Sequence, residues 1–407
     1  MMDWVDGSWA NPAESGTAAT VLIASDWAPI RAFDRIVAED PEAAYGDLLP
    51  VLRAADLRIA NLECPLSSGG QPACKSGSVF KGLPAHIRGL TAVPFQAVTL
   101  GNNHVFDYGL EGFRETRELL RVHGILTAGA GMNADEAWKP LILDHRGVAV
   151  AILNFSEGED LTAARHGPGV AGWEVERMVR LVREVRAQVD AVIVIAHCGV
   201  EYIPVPPPYV TAAFQRIAEA GADLVVGHHP HVPQGVQIHR GVPICYSLGN
   251  FLFHQETDRA YRKVGYLVRA HAGREGVTRV ELVPYALGPG LRLLEGDARA
   301  GFLHKLEEAS RPLQSAAGVA QAWAGFLRHY GARGFRQEVE GILETLARDP
   351  GKGAAMFRNR IVTPQHTHPW VDVLTRIMDG SLDDAPQWAH DLAAEWLTAT
   401  RCPWDRP

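Results

Sequence analysis

Six short apolar runs constrain the fold of this chain most. VLIAS at 21–25, LRIANLE at 57–63, AVTLG at 97–101, VAVAILNF at 148–155, AVIVIAHCG at 191–199 and DLVVGHH at 223–229 carry no polar stripe on either side. Each therefore reads as a strand buried on both faces. Amphipathic helical patterns at 41–55, 109–123, 173–189 and 208–220 separate them. Such alternation predicts an α/β layered fold. The texture then changes. Two antiparallel hairpins are expected next, one turning at Arg240-Gly241 and one at 273–276. From about Leu291 strand patterns vanish, and stretches such as FLHKLEEASRPL, AQAWAGFLRHY and PWVDVLTRIMDG read as helices.

At 407 residues the chain exceeds what one hydrophobic core usually organises. We expect a flexible arm over 1–20, one large catalytic domain over 21–290 and a helical C-terminal extension over 291–407. The 47% hydrophobic and 21% charged residues exclude a disordered or fibrous chain. A net charge of -8 repels phosphate backbones, so nucleic acid is not an expected partner. Five cysteines without a CxxC pair suit a reducing compartment. No apolar run reaches the roughly 20 residues of a membrane span, and the first residues lack the form of a secretory signal. The expectation is a soluble, cytoplasmic chain with no membrane anchor, its oligomeric state left open.

Polar residues gather where the apolar runs end. They are Asp26, Glu63, Asn102-Asn103-His104, His197 and His228-His229-Pro230-His231. In an open α/β sheet, strand ends converge on one rim, where ligands bind. A lone strand-end Asp or His is usually a cap or turn residue; five successive ends of this kind argue for a shared site. Oxygen and nitrogen ligands without thiolates suit a divalent cation: manganese, iron, zinc or calcium. His228 is expected to be structural, because neighbouring residues on extended chain point opposite ways.

The order Asp, Glu, Asn-Asn-His, His, His-x-His resembles the calcineurin-like metallophosphoesterase superfamily. NLECPL, GNNHVFDYG, IAHCGVEY, GADLVVGHHPHVPQG and YSLGNFLF are similar to its CapA-like branch, associated with poly-γ-glutamate capsule synthesis. The resemblance implies a sandwich of two β-sheets flanked by helices, and it leaves the C-terminal helical extension unexplained. It implies that Asp26 and His231 serve one metal subsite, that Asn103, His197 and His229 serve a second, and that Glu63 bridges them. His104 falls where the superfamily has its catalytic imidazole. Two departures weaken the match to phosphoester hydrolysis: Ala28 stands where a ligand His is usual, and Glu63 replaces an Asp. One or two ions are therefore expected.

Around this set, Asp107 either orients His104 as an acid/base pair or caps the following helix. His104, Asp107, His231 and Asp26 form the expected catalytic set. Trp27 is a candidate apolar wall for substrate. Lys75 and Lys81, in a glycine- and serine-rich loop, either meet a substrate carboxylate or are solvated. Glu201 faces substrate, supports the ligands or pairs within its loop. Asn250 binds a substrate carboxylate, holds a ligand His or stabilises a turn. His366 and His368, bracketed by Pro364 and Pro369, suggest a surface turn or a flap over the rim. The foremost expected activity is metal-dependent acid/base chemistry on a peptide-like substrate, most specifically Cα epimerisation without a redox cofactor, as in the lasso-peptide epimerase that the CapA-like group resembles. The alternatives are hydrolysis or transfer at a poly-γ-glutamate-type amide, and a phosphoesterase. The last ranks lower because the ligand motifs hold almost no basic residues to clamp phosphate.

Overall fold

A computed structural model describes residues 1–11, 19–159 and 162–405. Its strands are β1 (Ser8–Ala10), β2 (Ala19–Ala28), β3 (Leu57–Leu62), β4 (Ala97–Thr99), β5 (Leu126–Ala128), β6 (Ala130–Gly131), β7 (Leu141–His145), β8 (Val148–Ser156) and β9 (Gly169–Val170). They continue as β10 (Ala191–His197), β11 (Leu224–His228), β12 (Pro233–His239), β13 (Val242–Leu248), β14 (Asn250–Phe253), β15 (Val264–Gly273), β16 (Gly276–Leu287) and β17 (Leu291–Leu293). One sheet runs β1-β16-β15-β2-β3-β4-β5, with β14 against β2 and β17 against β16. The second runs β12-β13-β11-β10-β8-β7, and β6 and β9 form a small ribbon. Within the sheets β2, β3, β4 and β5 are mutually parallel, as are β8, β10, β11 and β13.

The apolar runs are continuous because each sheet is covered on both sides. Val21 and Ile23 of β2 join Val150 and Ile152 of β8 and Ile193 and Ile195 of β10 in the core between the sheets. Their neighbours Leu22 and Ala24 turn the other way, onto helix residues Phe33, Val37 and Phe113. On the far side of the second sheet, Val192 and Val194 meet Met178, Val182 and Phe214. Each Val, Ile or Leu so buried contributes roughly 1.5–3 kcal/mol relative to exposure. The result is a two-sheet sandwich flanked by helices. Both expected hairpins form, and Arg240 (φ 50°) and Gly241 (φ 89°) give the first the doubly left-handed turn that matches strand twist.

The N-terminal residues differ from expectation. Residues 1–11 are no loose arm: β1 pairs antiparallel with β16, and Met2 and Trp9 lie in the inter-sheet core. Residues 12–18 of the expected arm lie outside the described residues. Nor does the sheet stop at 290, since β17 continues it.

The C-terminal helices are Gly296–Ser310, Ala316–Arg348, Pro350–Val362, Pro364–Asp379 and Gln387–Thr398, the second broken at Gly331 (φ 58°). The first is part of the body, because Phe302, Leu303 and Leu306 enter the inter-sheet core. Its approach requires Gly235 of β12, where a Cβ would sit 2.6 Å from the carbonyl oxygen of Ala309. Among the described residues no helix is long and apolar enough to cross a membrane. Helix Pro350–Val362 opens on Pro-Gly-Lys-Gly, residues poor in helix propensity. Pro350 supplies the preset first turn, and the Asp349 side chain caps the N–H of Lys352 at 3.1 Å. The histidine pair at 366 and 368 lies in the first turns of helix Pro364–Asp379 rather than in a surface turn.

Candidate metal centre

The C-terminal ends of the parallel strands from both sheets meet at one edge, and the strand-end residues meet with them. The Nε2 atom of His197 lies 2.9 Å from Asn103 Oδ1, 3.1 Å from His229 Nδ1 and 3.3 Å from Glu63 Oε1. His231 Nδ1 lies 3.5 Å from Asp26 Oδ2. Glu63 takes part in two groups whose ligating atoms lie within 4.8 Å of one another, one with His229 and His231, the other with Asp26 and His197. The backbone bends to achieve this. His229 (φ 99°) and His231 (φ 57°) both occupy left-handed conformations, which cost of order 1–3 kcal/mol each and concentrate at functional sites. His228 belongs to neither group; burial alone pushes its imidazole down to about 3.

These side chains fit a cation. Asp26 Oδ2, both Glu63 oxygens and His229 Nε2 are buried without a hydrogen-bond partner among the described residues. Buried polar atoms are normally satisfied, so four orphans at one point mark a place for a positive charge. Burial raises the Glu63 carboxyl well above the usual range, and the charges of Asp26 and Glu201 add to the effect. Burial likewise raises Asp26, partly opposed by His231 and by the Asn61 hydrogen bond. Asn61 Nδ2 donates to Asp26 Oδ1 at 2.9 Å and sits 3.3 Å from His197 Nδ1, tying the two together.

Beside the cluster His104 and Asp107 are hydrogen-bonded to each other. His104 Nδ1 lies 2.6 Å from Asp107 Oδ2, and Lys75 Nζ donates to Asp107 Oδ1 at 2.9 Å and to the carbonyl of Asn103 at 2.8 Å. Burial opposes ionisation of Asp107, yet His104 and Lys75 outweigh it and hold the carboxyl below its usual range. A cavity of about 410 Å³ opens over this point, and Asn103, His104 and His231 reach it from below. Arg31 and Arg262 stand at its mouth. Arg262 lies 3.4 Å over the Tyr202 ring and Arg31 5.6 Å over that of Phe80. Neither guanidinium makes an ion pair among the described residues. The same cavity is lined by Glu159, Glu201 and Glu256, so the two arginines stand among acidic neighbours.

Several expected substrate contacts are corrected. Trp27 is fully buried, because strand alternation sends it to the face opposite Asp26, where its indole donates to Tyr45 at 3.1 Å. Lys75 is buried in its ion pair with Asp107 and cannot meet a substrate carboxylate. Lys81 lies over the Tyr108 ring at 4.2 Å and does not line the cavity. Asn250 is buried too, paired in register with Asp26, and its Oδ1 lies 2.8 Å from His231 Nδ1. Of its three readings, the one that holds a His is found. Glu201 lines the cavity, where His229 and His231 overcome its burial and hold its carboxyl below the usual range.

The sequence reading passed over Asn61, Arg31, Tyr202, Arg262 and, above all, Glu157 and Glu159. The last two follow β8, an interior strand whose polar end escaped that reading. Glu159 accepts from Asn103 Nδ2 at 2.5 Å. Burial opposes its ionisation, but the hydrogen bond and charge of His366, with His229 and Lys75, hold it well below the usual range.

The family model for the bacterial capsule synthesis protein PGA_cap matches residues 20–255, which include every residue of the cluster. Among curated proteins the chain is 31% identical over 241 residues to the PGA biosynthesis protein CapA of Bacillus subtilis (strain 168), covering 58% of this chain and 62% of that one. It is 30% identical over 210 residues to the capsule biosynthesis protein CapA of Bacillus anthracis, covering 50% and 51%. The chain thus spans little more than half the length of these relatives. Among solved structures it is similar to a 5'-nucleotidase precursor from Thermus thermophilus, at 16% identity and a TM-score of 0.42, covering 72% of this chain and 58% of that one. Arg262 and the C-terminal helices lie beyond the family match. The chain belongs to the bacterial capsule synthesis protein PGA_cap family.

Proposed function

We propose that the chain is a metal-dependent enzyme that cleaves or transfers at the amide bond of a poly-γ-glutamate-type chain. The observation that carries this reading is the pair of arginines, Arg31 and Arg262, without ionic partners at the mouth of a cavity that reaches Asn103 and His231. A γ-linked glutamate polymer keeps one free carboxylate per residue, and a guanidinium recognises a carboxylate through two parallel hydrogen bonds. The names of the relatives support the same substrate class. Cα epimerisation, the foremost expectation from sequence, finds no support among them.

Asp26, Glu63, Asn103, His197, His229 and His231 would hold the cation, which supplies Lewis acidity toward an amide carbonyl when bound. His104 keeps Nδ1 on Asp107, which leaves Nε2 to take a proton from the attacking water or acceptor amine as the new bond to the carbonyl carbon forms, and to pass it to the departing amine as the C–N bond breaks. Lys75 and the Phe80 N–H, which donates to Asp107 Oδ2 at 2.7 Å, keep that carboxylate in place. Phosphoester hydrolysis is the second reading, because the same two arginines can clamp a phosphate.

Incubation with Mn²⁺ and poly-γ-glutamate in deuterium oxide, read by mass spectrometry, separates the readings. Shortened γ-glutamyl fragments or a new amide linkage are expected; deuterium gain without either, or turnover of p-nitrophenyl phosphate alone, overturns the proposal. Replacing Arg31 and Arg262 by Gln should raise KM for the polymer roughly 10-fold or more and leave kcat nearly unchanged.

A further inference from the structure

Among the described residues Glu159 collects four side-chain contacts, and three come from the C-terminal helices. Its Oε1 lies 2.8 Å from Asn359 Nδ2, 3.0 Å from Gln365 Nε2 and 2.9 Å from His366 Nε2. Its Oε2 accepts from the Asn103 amide. Asn359 closes helix Pro350–Val362, whereas Gln365 and His366 open helix Pro364–Asp379. Asn359 and Gln365 are buried.

An amide has one accepting and one donating end, fixed to each other by planarity. Glu159 takes the Nδ2 end of Asn103 and thereby turns Oδ1 toward His197 and the ligand cluster. Were the amide reversed, N–H groups would face the cation. The same helices also reach Asn103 along a second route. Lys352 Nζ donates to the carbonyls of Lys75 (2.9 Å) and Gly77 (2.6 Å), and Asn359 Nδ2 lies 2.7 Å from Ser76 Oγ. They hold the loop whose Lys75 binds the carbonyl of Asn103. Both ends of this residue, backbone and side chain, are therefore set by groups that the extension grips.

We infer that the C-terminal helical extension is a working part of the metal centre: Asn359, Gln365 and His366 act through Glu159 as positioning residues for Asn103. This rests on Asn103 being a metal ligand, and it concerns residues outside the family match. Outer hydrogen-bond partners of ligands typically carry 10–100-fold in metal affinity.

The test uses the full chain stripped by chelation and titrated calorimetrically with Mn²⁺ alone, so no substrate enters. Gln365→Leu and His366→Phe keep volume and remove the contacts to Glu159; each should weaken Mn²⁺ binding roughly 10-fold or more. His366→Gln, which retains an N–H, should recover most of the loss. Glu338→Gln is the control for mere loosening, because Glu338 binds Tyr330, Arg360 and Trp370 within the extension and does not touch Glu159. It should lower the melting temperature and leave Mn²⁺ affinity unchanged. Wild-type affinity in Gln365→Leu and His366→Phe, or equal weakening by Glu338→Gln, overturns the inference. A wild-type chain that binds no Mn²⁺, Zn²⁺ or Fe²⁺ overturns the metal centre itself. Failure on poly-γ-glutamate with Mn²⁺ bound touches only the proposed substrate.

Discussion

On the sandwich side of the site, Asp26 Oδ2, both oxygens of Glu63 and His229 Nε2 are buried without hydrogen-bond partners. Across the rim, where the C-terminal helices arrive, Glu157 and Glu159 are nearly as buried, yet every one of their oxygens accepts at least one hydrogen bond. Two pairs of carboxylates in one low-dielectric region thus meet opposite fates. Unsatisfied polar atoms in an interior cost free energy, and three carboxylate oxygens with an imidazole nitrogen left so at one point suit a bound cation. Saturated carboxylates act as fasteners. The contrast separates residues that hold a cation from residues that hold the holders.

The largest expected effect falls on a residue that belongs to neither pair. His104 reaches the cavity, is fastened at one nitrogen and has the other left for proton transfer. His104→Ala should lower kcat by about 10²–10⁴-fold, with Mn²⁺ affinity close to wild type in a calorimetric titration. Loss of both together would erase the division between proton carrier and ligand.

A second substitution tests the unsatisfied side. Glu63→Gln removes a buried carboxyl whose ionisation Asp26 disfavours, and it also removes the residue shared by both groups. Mn²⁺ affinity should fall by more than about 100-fold, beyond the usual effect of an outer partner. At the same time the metal-free protein should melt at a higher temperature than metal-free wild type at about pH 7, since the amide escapes the cost of burying a carboxyl that the unfolded chain would ionise. A lower melting temperature for the metal-free variant would show that Glu63 is satisfied after all.

The sandwich side was largely legible in the sequence because polar residues stand out against strands that are apolar on both faces. Asp26, Glu63, Asn103, His197, His229 and His231 each break such a run or follow it directly. The rule also applied to β8, whose end carries Glu157 and Glu159. Strand alternation, which set His228 apart, equally turns Trp27 away from the rim. The helices of the extension were legible, but their contacts with the site were not. Pro-Gly-Lys-Gly at 350–353 imitates a loop until Asp349 is seen as a cap, and His366 meets Glu159 across 207 positions. Arg31 and Arg262 belong to no pattern; only the folded cavity brings them to one opening.

The smallest expected effect lies on the fastened side and reads out in stability alone. Burial pushes the Glu157 carboxyl from an ordinary value of 4.5 up to about 8, despite the Tyr209 hydroxyl and the N–H groups of Gly199 and Gln365 that bind it. Below about pH 4.5 the group is protonated in both folded and unfolded chains. Between about pH 4.5 and pH 8 the unfolded chain releases the proton while the folded chain retains it. The folded state then binds more protons, and stability falls as pH rises through this window. Above pH 8 both forms are ionised and the loss levels off. Glu157→Gln keeps an acceptor for the Tyr209 hydroxyl and cannot ionise, so its melting temperature should decline less than that of wild type from pH 5 to pH 8. Each kcal/mol of difference corresponds to roughly 2–4 °C or slightly less in a chain of this size. Parallel melting curves for the two proteins would mean that Glu157 is already ionised when folded. Glu157 would then match Glu159, whose carboxyl is held well below the usual range, and both members of the hydrogen-bonded pair would be charged.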